Sequence, residues 1–148
     1  MEKAATPLEE VQSQIAAACR RAQRAADEVT LVAVSKTQGP DAIVPLIAQG
    51  QRHFGENRVQ EAQGKWPALK DAHPDIVLHC VGQLQSNKAE DAARLFDVIH
   101  SLDRPSLVTA LARAFDRTGR RLPCFVQVDI GDEPQKGGCA LAELPALL

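Results

Sequence analysis

The 148 residues carry a formal net charge of −2 and 45% hydrophobic side chains, enough for one domain with a real core. A near-neutral chain without a basic run lacks the electrostatic footprint of a nucleic-acid binder, and no apolar stretch approaches the roughly 20 residues of a membrane helix. The opening decapeptide holds Glu2, Lys3, Glu9 and Glu10 and has no apolar core, so it does not read as a signal peptide.

Taken in order, Thr6-Pro7-Leu8-Glu9 is a capping box with proline at the first helical position. Leu8, Val11, Ile15, Ala18 and Ala22 follow at helical spacing, which predicts a helix from about Pro7 to Ala26. Leu31 to Val34 is a continuous apolar run, the pattern of a strand buried on both faces of a parallel sheet, and it ends in Ser35-Lys36-Thr37. Gly39-Pro40-Asp41 opens a second helix through Ala48, with Pro45 expected to kink or shorten it and Gly50 to end it. Gln51 to Gly55 reads as a second strand, followed by a helix bearing Val59, Ala62, Trp66 and Leu69 on one side.

Ile76 to Gly82 forms the third strand, after which Ser86 is expected to cap a helix over Asn87 to Leu95. Phe96 to Ser101 is the fourth strand. Asp103 reads as the cap of a helix whose Leu107, Val108, Leu111, Ala114 and Phe115 face inward and which Gly119 closes. Pro123 to Ile130 is the fifth strand, and a last helical piece is expected over Ala140 to Leu148 after the loop 131–138. Strict alternation of strand and helix implies a parallel sheet. Its 20 to 27 residue spacing is that of a TIM-type (β/α)8 barrel, of which about 250 residues are typical. The expectation is one domain, residues 1–148, holding the first five β/α units and cut off after them.

In such sheets ligands sit at the carboxyl ends of the strands, and Lys36 lies at that end. Strand alternation gives it a face in common with Val32 and Val34, where lost hydration would favour a neutral, nucleophilic amine. The alternative is that Lys36 begins a loop and points into water. Similar alternatives stand for the other strand ends. His79 reads as a site residue or a hydrogen-bonded core histidine, and Asn57 and Ser86 as site residues or helix caps. Glu133 and Lys136 read as a solvated loop. The four cysteines show no metal-ligand spacing and read as reduced, buried hydrophobes.

Five motifs then occur together. They are Ala33 to Thr37, Phe54-Gly55-Glu56-Asn57 with Val59-Gln60-Glu61, and His79 through Lys88. The last two are His100-Ser101 with Asp103-Arg104, and Gln127-Val128-Asp129 with Glu133, Lys136 and Gly138. In this order and spacing, from about Val29 to Gly138, they resemble the pyridoxal phosphate homeostasis family, cytoplasmic PLP carriers on an alanine racemase-type barrel.

The resemblance implies that Lys36 holds pyridoxal 5′-phosphate (PLP) as an internal aldimine and that Asn57 lies near the cofactor. It implies that His79, Gly82 and Ser101 line the mouth, and that Lys136 is a second lysine influencing PLP transfer. It further implies a carrier without catalytic activity, monomeric, serving PLP-dependent apoenzymes. The sequence departs from the family pattern at Arg58, where an aromatic is usual, and at Leu78 and Cys80, which flank His79 in place of Trp and Phe. The family's phosphate-holding units follow the fifth β/α unit. Without them weak PLP binding, low stability and an exposed sheet edge open to self-association are expected. Two rivals remain: a PLP-dependent racemase or decarboxylase, disfavoured because the chain has no tyrosine to act as the second acid/base, and a truncated copy without function.

Overall fold

A computed structural model describes residues 4–133 and 135–148. Its contacts divide the chain into two compact units, 1–31 and 32–148. In the first, α1 spans Pro7–Arg21. The capping box is formed as expected, with the Thr6 hydroxyl accepting from the Glu9 N–H at 3.2 Å and the Glu9 carboxylate accepting from the Thr6 N–H at 3.3 Å. The helix ends five residues earlier than its apolar spacing suggested. Gln23 takes a left-handed conformation, φ 56°, and a separate 3-10 turn covers Ala26–Glu28.

The second unit alternates strand and helix. The elements are β1 (Ala33–Val34), α2 (Pro40–Ala48), β2 (His53–Glu56), α3 (Val59–Ala72) and β3 (Val77–Cys80). After them come α4 (Ala89–Leu95), β4 (Val98–Leu102), α5 (Pro105–Thr118) and β5 (Cys124–Val126). The five strands pair in parallel and in chain order, the arrangement of consecutive barrel units. Pro45 does not break α2, which runs nine residues before Gly50 turns the chain at φ 100°.

The core lies between the sheet and its helices. Phe54, Leu78, Cys80 and Ile99 are fully buried from the strands, and they meet Ala62, Trp66, Ala92, Ala93 and Leu107 from the helices. Each helix presents an i, i+3, i+4 stripe, which is why Val59, Ala62, Trp66 and Leu69 are all buried on α3. Val108 on α5 lies outside that stripe and is exposed. At the start of β4, Asp97 accepts from the Leu78 N–H and Lys70 Nζ, each at 2.8 Å, and from Arg120 Nη2 at 3.0 Å. Three donors, from β3, α3 and the loop after α5, pin the strand-start end, at the opposite end of the sheet from the carboxyl ends of the strands.

The last segment differs from expectation. The predicted fifth strand divides at Gln127, whose N–H donates to the Leu102 carbonyl at 2.8 Å while its own carbonyl accepts from the Cys139 N–H at 2.9 Å. Pointing its two backbone groups at different neighbours separates β5 from β6 (Val128–Asp129), which pairs in parallel with β7 (Cys139–Ala140). Helix therefore begins only at a 3-10 turn, Leu141–Glu143, continuing as α6 (Leu144–Leu147). The edge expected beyond the fifth strand is thus partly covered by the chain itself. No helix among the described residues is long and apolar enough to cross a membrane.

Candidate functional site

Residues alternate between the two faces of each strand, and the open face carries the candidate site. A Cβ placed on Gly55 would lie 3.2 Å from Val32, 3.3 Å from Val34 and 3.4 Å from Val81, so these residues share one face. Their sequence neighbours Phe54 and Glu56 face the helices and are fully buried. A side chain at this position would have to push the β1 and β3 valines aside by a few tenths of an ångström.

Lys36 follows Ser35 in the turn after β1 and is exposed. The valine enclosure expected from the sequence is not there: Val34, on the same run, is 51% exposed, because five strands leave that face open. The amine makes no hydrogen bond or ion pair among the described residues. What is constrained is the backbone around it. The Ser35 hydroxyl donates to the Glu56 carboxylate. Thr37 has φ 64°, an unfavourable region for a β-branched residue, and its N–H donates to Glu61 at 2.6 Å.

Lys65 ties both sides of this turn together. Its ammonium lies 2.9 Å from Glu56 and 2.9 Å from Glu61, and donates to the Ser35 and Gln38 carbonyls at 2.9 and 2.8 Å. Lys65, and then the Thr37 N–H, holds the Glu61 carboxyl below the usual carboxylate range. Sequence reasoning assigned no role to these three residues, although Glu56 and Glu61 lie within its second motif. The only available signal was the i, i+4 spacing of Glu61 and Lys65.

Asn57 and Gly82 are brought together. The Val81 N–H donates to the Glu56 carbonyl at 3.0 Å, and a Cβ on Gly82 would sit 2.4 Å from the Asn57 carbonyl oxygen. Neither Asn57 nor Ser86 is a helix cap. Position N-cap of α3 is Arg58, and Ser86 begins a 3-10 turn ahead of α4.

His79 stands in the middle of a three-histidine chain across the open face. Its Nε2 is 3.0 Å from His53 Nδ1 and its Nδ1 is 2.8 Å from His100 Nε2. Ring centroids are 5.2 and 5.0 Å apart. Burial, followed by the neighbouring His100 and His53 rings, lowers the His79 pKa from 6.5 to about 4, with Asp97 opposing. Burial lowers His100 as well.

An unfolded chain therefore takes up the His79 proton near 6.5 while the folded chain resists it until about 4. Full stability is present above the upper value and is lost progressively as pH falls toward the lower one. Urea titrations across this window should show a shallower loss for His79→Gln than for wild type. Equal slopes would mean that His79 is protonated in the folded chain.

Ser101 does not line the open face. It alternates with His100 on β4 and is fully buried on the helix side, where its hydroxyl faces the Cys80 thiol. Lys136 is likewise apart, on an exposed turn with its ammonium 2.8 Å from Glu133. Asp103 is not the cap of α5. It is 8% exposed, pairs with Arg104 Nη1 at 2.7 Å and accepts from the Gly138 N–H at 3.0 Å. That bond spans 35 positions and docks the loop after β6 onto the strand-end rim. Gly138, with φ 117° and no room for a Cβ beside Asp129, permits the approach.

Residues 12–148 match the family described as alanine racemase, N-terminal domain. The chain is 40% identical over 144 residues to the pyridoxal phosphate homeostasis protein of Escherichia coli K12, covering 95% of this chain and 60% of that protein. It is 37% identical to the Pseudomonas aeruginosa protein of the same name, covering 99% of this chain and 63% of that one. Among solved structures it is similar to PipY of Synechococcus elongatus with PLP bound. There the TM-score is 0.73 at 43% identity, covering 92% of this chain and 63% of PipY. The chain thus spans about three fifths of the length of these relatives.

Proposed function

The chain belongs to the alanine racemase N-terminal domain family, and from that premise we propose that it binds pyridoxal 5′-phosphate through Lys36 and serves intracellular PLP homeostasis. The observation that carries the reading is the contrast at the β1 turn. Lys36 is exposed and its amine unpartnered, while the residues on either side are anchored to Glu56, Glu61 and Lys65. The PLP-bound PipY structure and the names of the relatives support the same cofactor.

The residues present fit such a group. When bound, PLP supplies an aldehyde to which a primary amine adds. Lys36 offers that amine from a fixed backbone, on the rim where barrel ligands bind. Asn57 contributes a polar side chain beside the close Gly82 approach, and His79 keeps a neutral imidazole on the open face. His79 and its two partners form one hydrogen-bonded chain across that face. On this reading the protein buffers and delivers PLP to cytoplasmic apoenzymes without catalysing a reaction itself, and Lys136, in its exposed turn, is available to a transfer step.

Borohydride reduction of the PLP-treated chain, followed by peptide mass spectrometry, tests the assignment. One adduct per chain is expected, on the peptide containing Lys36. With Lys36→Ala, both the adduct and the visible absorption of the lysine-bound cofactor should disappear. Equal labelling of Lys88 and Lys136, unaffected by the substitution, would overturn it.

A further inference from the structure

Beside Asn57 the strand-end rim holds a cavity of about 370 Å³ that does not include Lys36. Arg58, Lys88 and Arg104 line it together with the amides of Gln60, Gln83 and Gln85, and none of the lining residues is acidic. Its volume is within the range of small-molecule sites. The motif Gln83 to Lys88, which the lysine's chemistry leaves unused, forms one wall.

The three cations are not equivalent. Arg104 is held in place, with Nη1 on Asp103 at 2.7 Å and Nη2 donating to the Leu84 carbonyl. The Arg58 guanidinium and the Lys88 ammonium make no close ion pair or hydrogen bond among the described residues, although Arg58 acts electrostatically on the Glu61 carboxylate. The first turn of α3 also meets the cavity, through Val59 and Gln60, and no side chain caps it. Glu61, the acid of that turn, is engaged by Lys65 and by the Thr37 N–H. A 14-residue helix thus presents its positive end to a space already lined by two cations without a close ion pair.

We propose that this cavity is a binding site for a phosphate group, either inorganic phosphate or the phosphate of a small phosphomonoester. A dianion suits two cations that have no close ion-pair partner. Its tetrahedral oxygens can receive donors from several directions at once: the Arg58 guanidinium, the Lys88 ammonium, the glutamine amides and the N–H groups of the α3 turn. A carboxylate offers one negative charge and two oxygens, which leaves part of this donor set unused. Occupancy requires no bond to Lys36, so the site stands independently of the PLP reading.

The test is a titration of the isotopically labelled full chain with sodium phosphate at neutral pH and constant ionic strength, followed by amide NMR. Saturable shifts are expected at Val59 to Glu61 and Gln83 to Lys88. Arg58→Gln with Lys88→Gln should weaken binding about tenfold or more, whereas Lys36→Ala should leave it unchanged. Arg58→Gln alone, at an exposed position, should weaken it in the same direction if the double variant does not fold. Glycerol 3-phosphate should displace phosphate from the same amides, and its failure to do so would overturn the phosphomonoester class. Competition by PLP in the Lys36→Ala chain would identify the cofactor's own phosphate as one source. Non-saturating shifts, or unchanged affinity in both arginine variants, would overturn the site.

Discussion

Replacing Lys65 with methionine is expected to lower the unfolding free energy by about 3–5 kcal/mol, because it leaves the Glu56 carboxylate buried without its cation. Glu56 is 0% exposed, and its Oε2 receives Lys65, the Ser35 hydroxyl and, at 3.1 Å, Trp66 Nε1. Its Oε1 is buried with no partner among the described residues, so nothing is in reserve to replace the ammonium. Pairing Lys65→Met with Glu56→Gln should recover most of the loss, since a neutral amide costs far less to bury than an unpaired charge. Urea denaturation of the two single variants and the double variant measures this. A Lys65→Met loss below about 1 kcal/mol would show that the pair is effectively solvated. Hydrogen exchange should also quicken over residues 35–38, whose carbonyls at Ser35 and Gln38 lose the same ammonium. Stability and presentation of Lys36 are therefore coupled through one side chain.

Trp66→Ala should cost a comparable amount, about 3–5 kcal/mol. Trp66 is fully buried, packs its ring 5.1 Å from Phe54 at 45°, and donates to Glu56. Truncation opens a cavity between α3 and β2 and removes a donor from a buried carboxylate. Trp66→Phe separates the two effects: it keeps most of the ring packing and removes only the hydrogen bond, for an expected loss of about 1–3 kcal/mol. Chemical denaturation of both variants gives the partition. If Trp66→Phe were as damaging as Trp66→Ala, the indole N–H rather than the ring volume would be the dominant contribution.

The helices were legible because each has a local signal. Thr6 to Glu9 announce the start of α1 and Gly119 the end of α5, and the buried stripe of α3 is visible at i, i+3, i+4 spacing. Asp103 misled because acid-then-proline resembles a cap locally, whereas its partner, the Gly138 N–H, is 35 residues away. Ser101 shows a different limit of local reading. Period-two alternation places it on the helix side, but the motif that contains it suggested the mouth.

Composition, periodicity and motif order determined a parallel β/α chain with a lysine at the end of its first strand, and the resemblance carried by the motifs added the alanine racemase type. Each of those properties is written in neighbouring residues. Tertiary structure alone decided that Lys36 lies open rather than walled by valines. It likewise decided that Lys65 and two glutamates hold its turn, that three histidines from successive strands touch, and that Arg58, Lys88 and Arg104 surround one cavity. The physical reason is distance along the chain. A burial or an ion pair between residues 20 to 40 positions apart depends on sheet register and on which strands are present to close a face, and no local pattern carries that information.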